Sequence, residues 1–269
     1  MGVNPEIIAY DLQSEPTYKG KKQVLIQHHH AHMVSCMAEH GLYDKVIGVI
    51  FDGTGLGTDG TIWGGEILIG NREQFIRVAH FKNVLIQGGN SAIRDIWKIA
   101  YSYLYQLDLN PNQWISGINE EEKYVINNAL KSKLNCYYSS SIGRLFDCVS
   151  VLLNLCYHSS YQGQGAIELE SIINPLIKDA YEFEFYKSNG IYEVDYRDII
   201  KGILHDLKSE IPNSDISTKF HNTLGIITVK FITLISDMYH IDDVVLSGGV
   251  FENRYLLTYI LNEIKNSYI

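Results

Sequence analysis

The sequence predicts an α/β protein, and three stretches carry that prediction. Residues 24–26 form a short apolar run that predicts a buried strand, and the next residues predict a helix that begins with four histidines. A second apolar run, residues 46–51, precedes a glycine-rich loop and the strand-like segments GTIWGGEILIG and QFIRVAHFK, which together predict a meander. Residues 243–262 predict a strand, a Gly-Gly turn and a helix.

The composition is that of a globular chain with no membrane or nucleic-acid partner. Of its 269 residues, 46% are hydrophobic and 20% are charged, which argues against intrinsic disorder. No apolar run has the length of a membrane helix, and the first residues lack an export signal, so a cytoplasmic location is expected. The net charge of −9 opposes binding to a phosphate backbone.

The cysteines and the first half of the chain add further expectations. Four cysteines without a C-x-x-C pair predict reduced thiols and exclude a zinc ribbon. Residues 7–12 predict a strand, and Pro16 with Gly20 predicts the loop after it. Apolar residues at helical spacing predict helices over 93–104 and 145–156, while the polar residues 110–142 predict an inserted surface helix and loop.

The second half predicts mostly helices around one hairpin. Residues 166–180 are expected to continue as helix with a break near Pro175. The segments EFEFYK and IYEVDY flank Ser-Asn-Gly, which predicts a β-hairpin. A long helix with an apolar face is expected over 215–239, followed by the strand at 243–246 and a helix at 250–262.

The histidine-rich helix and the glycine loop together predict a metal site. His28 and His32 are four residues apart, so in a helix their imidazoles project from one face. Asp52 follows a strand directly and can complete a site of two histidines and one aspartate, beside glycines whose N–H groups face an anion. Taken separately, such a histidine pair is more often a surface or core feature, and Asp-Gly is more often a hairpin turn.

Five ordered blocks resemble a known family. The segments QHHHAHMVSCMAEHG, FDGTGLGTDGTIWGGE, SSSIGRLFDCVSVLLN, YQGQGAIELE and VVLSGGVFENRYLL are similar to the C-terminal domain of HypF, the hydrogenase-maturation carbamoyltransferase. That domain is similar in turn to the universal tRNA threonylcarbamoyl-transferase family. The resemblance implies an α/β fold of the actin-like ATPase (ASKHA) type, with two lobes and helical insertions.

The resemblance also implies a reaction, cofactors and partners. In the family, an adenylate-forming domain makes carbamoyl-adenylate from ATP, and this domain moves the carbamoyl group to the C-terminal cysteine of HypE. The implied cofactors are therefore a divalent metal, iron or zinc, and the ATP-derived carbamoyl-adenylate. The implied partners are a HypE-type acceptor protein and an adenylate-forming domain or polypeptide.

Matching motif to motif places the family's functional residues on this chain. His28 and His32 take the positions of its histidine metal ligands, and Asp52 takes that of its carboxylate ligand; these three are the predicted catalytic residues. The residues expected to face the phosphate, nucleoside, adenine and ribose are Gly53, Thr54, Asp147, Gly163, Gly248, Gly249 and Asn253.

The roles of four further polar residues near the motif stay open. His29 and His30 are either partners of the metal ligands or packing and surface residues. Asp59 and Glu66 are expected to lie in a solvated loop, with support of the metal ligands as the alternative.

The chain departs from the family pattern at both ends. Residues 1–44 are expected to be a remnant of the first lobe carrying the histidine motif, which leaves that lobe incomplete. Residues 45–269 are expected to form the second lobe, with a helical insertion at about 90–180 and without the final strand and its aspartate ligand. Open sheet edges predict self-association or a complementing polypeptide. Gln162 stands where the family usually has glutamate.

Two alternatives of other classes stay open beside transfer to a protein cysteine. One is a small-molecule O-carbamoyltransferase, which shares this domain. The other is a fragment that binds metal or nucleotide without catalysis. A tRNA-modifying role ranks last because of the acidic charge.

Overall fold

The computed structural model describes residues 7–12, 22–89 and 91–267, in a mixed α/β fold. The loop predicted at Pro16 and Gly20 lies outside these residues. The strands are β1 (Ile7–Asp11), β2 (Lys22–Ile26), β3 (Val46–Phe51), β4 (Gly65–Gly70), β5 (Phe75–Phe81), β6 (Val84–Gln87), β7 (Cys136–Ser139), β8 (Glu184–Ser188), β9 (Ile191–Asp195) and β10 (Val244–Ser247). The helices are α1 (His28–Glu39), α2 (Ser91–Arg94), α3 (Trp97–Gln106), α4 (Glu120–Ser132), α5 (Ile142–Leu152), α6 (Gln164–Ser171), α7 (Arg197–Lys208), α8 (Asn213–Tyr239) and α9 (Arg254–Ser267), with 3-10 turns at Pro111–Gln113 and Gly249–Glu252.

A six-stranded mixed sheet forms the centre, in the order β10-β3-β4-β5-β9-β8. The predicted meander is confirmed, since β3, β4 and β5 are consecutive antiparallel neighbours, whereas β10 joins β3 in parallel. Every residue of β3 and β4 is buried, which explains their nearly continuous apolar sequence. The predicted hairpin is also confirmed as β8 and β9.

The two faces of β3 pack against different helices. Ile47, Val49 and Phe51 belong to the larger core, which includes residues of α3, α5, α7 and α8. Val46 and Ile50 belong to a smaller core with the methionines of α1. Because side chains alternate along a strand, the side chain of Asp52, the residue after β3, is directed toward the α1 face.

Two small sheets accompany the central one, and the first corrects a prediction. β1 and β2 form a parallel pair, but Val24 and Leu25 are 36% and 53% exposed, so the prediction of a buried strand at 24–26 was wrong. Two strands alone enclose little apolar surface. The second small sheet pairs β6 with β7, a strand that the polar composition of residues 110–142 did not reveal. The surface helix predicted in that stretch is α4.

The helix predicted over 166–180 ends early. α6 stops at Ser171, and Asn174 then donates its backbone N–H to Thr218 and its side-chain amide to Asp215. Such side-chain contacts compete with the helical ladder, and Pro175 disfavours helical geometry in the residue before it. The long helix predicted at 215–239 is confirmed as α8.

Two predictions from composition concern membrane-spanning helices and the state of the cysteines. None of the helices in the described ranges has both the length and the apolar character that crossing a bilayer requires. Cys36, Cys136, Cys148 and Cys156 are all free thiols, as the absence of a paired pattern predicted.

Candidate metal and nucleotide site

Helix α1 begins directly after β2 and presents two histidines on one face. Gln27 caps the helix, because its side-chain oxygen accepts the N–H of His30 at 2.8 Å. His28 and His32 are stacked one turn apart, with ring centroids 4.9 Å from each other. The predicted helical start and the shared face of these two imidazoles are both confirmed.

Asp52 meets the two histidines at the end of β3. Its side chain follows the strand's alternation to the α1 face, where Oδ2 lies 3.0 Å from His28 Nε2 and 3.4 Å from His32 Nε2. Its other oxygen accepts the Gly53 N–H at 2.8 Å. One potential ligand atom from each of the three residues lies within 4.8 Å of the other two.

The donors of this trio fit a divalent transition metal. Two imidazole nitrogens and one carboxylate oxygen suit iron or zinc, and a set of three leaves coordination positions open. Side-chain exposures of 31% for His28, 33% for His32 and 15% for Asp52 leave the trio accessible to solvent. The backbone at Gly55 packs closely against His28, because a Cβ there would lie 2.9 Å from His28 Cδ2.

Each histidine of the trio has a second partner on its Nδ1 atom. His28 Nδ1 lies 2.7 Å from Asp11 Oδ2, at the end of β1. His32 Nδ1 lies 3.3 Å from the hydroxyl of Ser247, at the end of β10. With Nδ1–H donated to these oxygens, each Nε2 keeps its lone pair for a cation. Sequence reasoning missed both partners, since each depends on strand pairing.

The electrostatics of the trio favour a cation. The hydrogen bond with Asp52 raises the pKa of His28 to about 9, against the cost of burial and with a smaller contribution from Asp11. Burial alone would raise the pKa of Asp52, but hydrogen bonds from His28, His32 and Gly53 hold it well below its usual value. Asp52 is therefore a carboxylate, and a metal ion would take the place of the proton on His28.

His29 and His30 are not among the three residues whose potential ligand atoms converge. His29 is fully buried, with Nδ1 3.0 Å from Gln27 Nε2, and burial lowers its pKa to about 4. His30 Nε2 lies 2.9 Å from the carbonyl oxygen of Asn71, to which it donates as the Nε2–H tautomer. His30 thus contacts the loop between β4 and β5, whereas the His29 ring packs edge-on against His28, with ring centroids 5.4 Å apart. Support of a metal ligand and plain packing both stay open for His29.

Glu66 corrects another prediction, whereas Asp59 stays in an exposed loop. Glu66 lies in β4 and is completely buried, so the solvated-loop prediction was wrong for it. Arg77 and Ser140 donate hydrogen bonds to its two oxygens, which compensates the buried charge. The side chain of Asp59 is 41% exposed and accepts hydrogen bonds from Thr61, Trp63 and Arg77.

Two adjoining cavities lie beside the trio and share Gly53, Arg144 and Gln162. The first, here called the acidic cavity, has a volume of about 440 Å³ and carboxylates from Asp52, Asp147, Glu170 and Glu252. The second, here called the basic cavity, has about 610 Å³ and includes Arg94 and Arg144. Among the described residues that line it there is no carboxylate.

The predicted nucleotide-binding residues divide between these cavities. Thr54 lines the basic cavity, and Gly53 lines both. The residues of the set that line the acidic cavity, besides Gly53, are Asp147, Gly163, Gly249 and Asn253. Gly248 lines neither of the two but sits behind them with φ +100°, where a Cβ would lie 2.2 Å from the Phe51 carbonyl oxygen.

Asn253 is held in place by a buried histidine. His221 Nδ1 donates to the Ser217 carbonyl at 2.8 Å, which leaves Nε2 to accept the Asn253 amide at 2.9 Å. The Asn253 Oδ1 atom accepts the N–H of Leu256 and so caps α9. Burial lowers the pKa of His221 to about 4, which keeps the ring neutral as this arrangement requires.

Helix α5 brings Arg144 and Asp147 to the wall between the cavities. The helix is fixed by Ser141, whose hydroxyl donates to the Asp52 carbonyl at 2.6 Å and accepts the Arg144 N–H. Arg144 Nη1 lies 2.9 Å from Asp147 Oδ2, yet the pair is not aligned as a hydrogen bond. Burial raises the pKa of Asp147 to about 6 despite the positive charge of Arg144.

The fold thus brings a donor set suited to a metal next to two adjoining cavities. Residues 48–269 match the family model described as "Carbamoyltransferase, Kae1-like Domain, second subdomain", and residues 1–39 match "HypF Kae1-like domain". The chain belongs to the HypF carbamoyltransferase family, in the part that forms its C-terminal Kae1-like domains.

Individual relatives agree with the family match. "Carbamoyltransferase HypF" of Synechocystis sp. is 35% identical over 262 residues, covering 90% of this chain and 33% of the relative. "Probable carbamoyltransferase HypF" of Methanocaldococcus jannaschii is 28% identical over 98% of this chain and 35% of its own length. The chain thus spans about a third of these two relatives.

Solved structures show the same fold. A crystal structure of full-length HypF in the phosphate- and nucleotide-bound form matches with a TM-score of 0.92 and 36% identity, over 98% of this chain and 43% of that one. The crystal structure of T. kodakarensis HypF matches with a TM-score of 0.83 and 28% identity, over 97% of this chain and 36% of that one.

Proposed function

We propose that this chain is the transfer domain of a HypF-type carbamoyltransferase. It would move a carbamoyl group from carbamoyl-adenylate to the C-terminal cysteine of a HypE-type acceptor, during maturation of the cyanide ligands of [NiFe]-hydrogenase. The observation that carries the proposal is the convergence of His28, His32 and Asp52 beside two joined cavities. The similar full-length HypF structure is a phosphate- and nucleotide-bound form, which supports an adenylate as donor.

The reaction needs an activated carbonyl, a thiolate and a leaving group. The acceptor thiol loses its proton to solvent, and the thiolate sulfur attacks the carbamoyl carbon. The bond between that carbon and the phosphate oxygen then breaks, and AMP leaves with the electron pair. A divalent metal, when bound, supplies Lewis-acid polarisation of the carbonyl and phosphate oxygens.

The residues of the chain would hold and orient the reactants. His28, His32 and Asp52 would hold the metal, while Asp11 and Ser247 keep the two imidazoles turned so that Nε2 faces it. The acidic cavity would take the nucleoside, because its carboxylates accept hydrogen bonds from ribose hydroxyls and adenine N–H groups. Holding donor and acceptor together supplies a large part of the acceleration.

Several features of the wider assembly belong to the same proposal. The fold is the two-lobed actin-like ATPase type, with residues 1–44 in the first lobe and 45–269 in the second. Carbamoyl-adenylate comes from an adenylate-forming domain or polypeptide, and the metal is iron or zinc. The site of action is the cytoplasm, where the acceptor protein matures.

The test combines metal content with transfer. Wild-type protein is expected to bind iron or zinc, and to add one carbamoyl group to acceptor protein when synthetic carbamoyl-adenylate is supplied, as measured by mass spectrometry. His28→Ala and His32→Ala are expected to lose both properties. His30→Ala is the matched control, because this helix residue contacts the Asn71 carbonyl and not the trio.

Three outcomes separate the alternatives. Equal metal content in all four proteins would remove the ligand assignment. Metal binding without transfer to protein would favour the non-catalytic fragment, unless a small-molecule hydroxyl compound is carbamoylated instead. Transfer that needs neither histidine would overturn the proposed site.

A further inference from the structure

We propose that Arg144 binds the 5′-phosphate of the nucleotide, at the junction between the acidic and basic cavities. The inference rests on the proposed function for the presence of a nucleotide, and it assigns the phosphate to a residue outside the predicted set. The ligand class is a nucleoside 5′-monophosphate, either free or as the acyl-adenylate.

The first support is that Arg144 is buried without adequate hydrogen-bond partners. Its side chain is 11% exposed, and the Nε and Nη1 atoms have no hydrogen-bond partner among the described residues. Asp147 Oδ2 likewise lacks an aligned partner, although it lies 2.9 Å from Nη1. Unsatisfied buried N–H donors cost free energy, and an anion that accepts from them would remove that cost.

The second support is the position of the guanidinium. Nη2 lies against the backbone of the loop after β3, since a Cβ on Gly53 would be 3.1 Å from it. Gly53 directly follows Asp52, so an anion on Arg144 lies next to the trio. Arg144 also lines both cavities, so a ligand that extends from one to the other passes it.

The third support is the change of charge across this wall. The acidic cavity offers acceptors, which suit the hydroxyl and amino donors of a nucleoside. The basic cavity contains arginines and no carboxylate among its described lining residues, which suits an anion. A planar guanidinium matches two phosphate oxygens at once, and such charge-assisted pairs are stronger than neutral hydrogen bonds.

The experiment compares AMP with adenosine by isothermal titration calorimetry. Wild-type protein is expected to bind AMP roughly ten- to hundredfold more tightly than adenosine. In Arg144→Gln the two affinities should become nearly equal, through loss of AMP affinity with adenosine affinity retained. Arg94→Gln is the comparison variant, because Arg94 lines only the basic cavity whereas Arg144 lines both cavities. It should keep the preference for AMP.

Each other result overturns the proposal. Equal weakening of AMP and adenosine in Arg144→Gln would assign Arg144 a structural role only, and loss of the preference in Arg94→Gln would move the phosphate into the basic cavity. Wild-type protein that binds neither ligand would refute the nucleotide site as well. If Arg144→Gln does not fold, judged by circular dichroism, Arg144→Lys replaces it and is expected to show an intermediate preference.

Carbamoyl transfer on the same preparations keeps the two proposals separate. If wild-type protein transfers the carbamoyl group but binds AMP and adenosine with equal affinity, the role of Arg144 is refuted and the proposed function stands. A clear preference for AMP without any transfer would refute the transferase function and leave the phosphate site standing.

Discussion

Removal of the Asp11 carboxylate is expected to weaken metal binding without unfolding the protein. Asp11 Oδ2 lies 2.7 Å from His28 Nδ1, the ring atom that does not face Asp52. A carboxylate in this position fixes the tautomer and orientation of a ligating imidazole and increases its basicity. Metal affinity should therefore depend on a residue that makes no contact with the metal.

The size of the effect follows from the exposure of the pair. Loss of such a partner costs about 10- to 100-fold in metal affinity. The side chains of Asp11 and His28 are 32% and 31% exposed, so water screens their interaction. The loss of metal affinity should therefore lie at the lower end of this range. We expect Asp11→Ala to raise the Kd for Zn²⁺ about tenfold, near 1.4 kcal/mol. Asp11→Asn should have a smaller effect, because its amide oxygen still accepts from Nδ1–H.

The assay is competition for Zn²⁺ with a chromophoric chelator, together with the absorption spectrum of the Co²⁺-loaded protein. A reoriented imidazole changes the ligand field, so the Co²⁺ bands should shift in Asp11→Ala and recover in Asp11→Glu. Asp44→Asn is the charge-matched control, since Asp44 is exposed and precedes β3 at the end remote from Asp52. An unchanged Kd and spectrum in Asp11→Ala would refute the reasoning.

Three predictions concern stability, each measured by urea unfolding. The pKa of His221, lowered to about 4, makes stability fall by roughly 3 kcal/mol as pH drops from about 6.5 to 4, and His221→Gln should lose this dependence. The pKa of Asp147 is raised to about 6, so stability should fall by a similar amount as pH rises from about 4 to 6. Asp147→Asn should abolish this pH dependence. Parallel pH profiles for the wild type and either variant would contradict the assignment of that residue. Gly248→Ala should lower the free energy of unfolding by more than about 2 kcal/mol, because the residue has positive φ and its new Cβ would clash with the Phe51 carbonyl. Gly190→Ala is the control, since Gly190 has positive φ but open space around it. Equal losses of stability in the two variants would contradict the role of the clash.

The trio could be predicted because it depends on local geometry. The spacing of His28 and His32 fixes a shared face once a helix forms, and the alternation of β3 directs Asp52 to the side of α1. The meander, the hairpin and the long helix α8 likewise follow from local periodicity and turn residues. The assignment of the trio as metal ligands remains a prediction.

The remaining features depend on contacts between distant parts of the chain. Asp11 and Ser247 reach the histidines through the parallel pairing of β1 with β2 and of β10 with β3. Glu66 was expected in a solvated loop because it is charged. Its burial depends on the charge of Arg77 on β5, where a bulge shifts the register, and the sequence pattern does not reveal that contact. β7 was missed because its four residues lie in a polar stretch and pair with β6.

The parallel pairing of β10 with β3 makes the site depend on a contact between distant parts of the chain. Val244 pairs with Ile47, so the closure of a very long loop must precede the arrival of Ser247 at His32 and of Gly249 beside Asp52. Helix α1 can therefore form before Ser247 and Gly249 reach the trio, because α1 needs only local contacts and β10 does not. If the trio binds a metal, tight binding is expected only after β10 has joined the sheet.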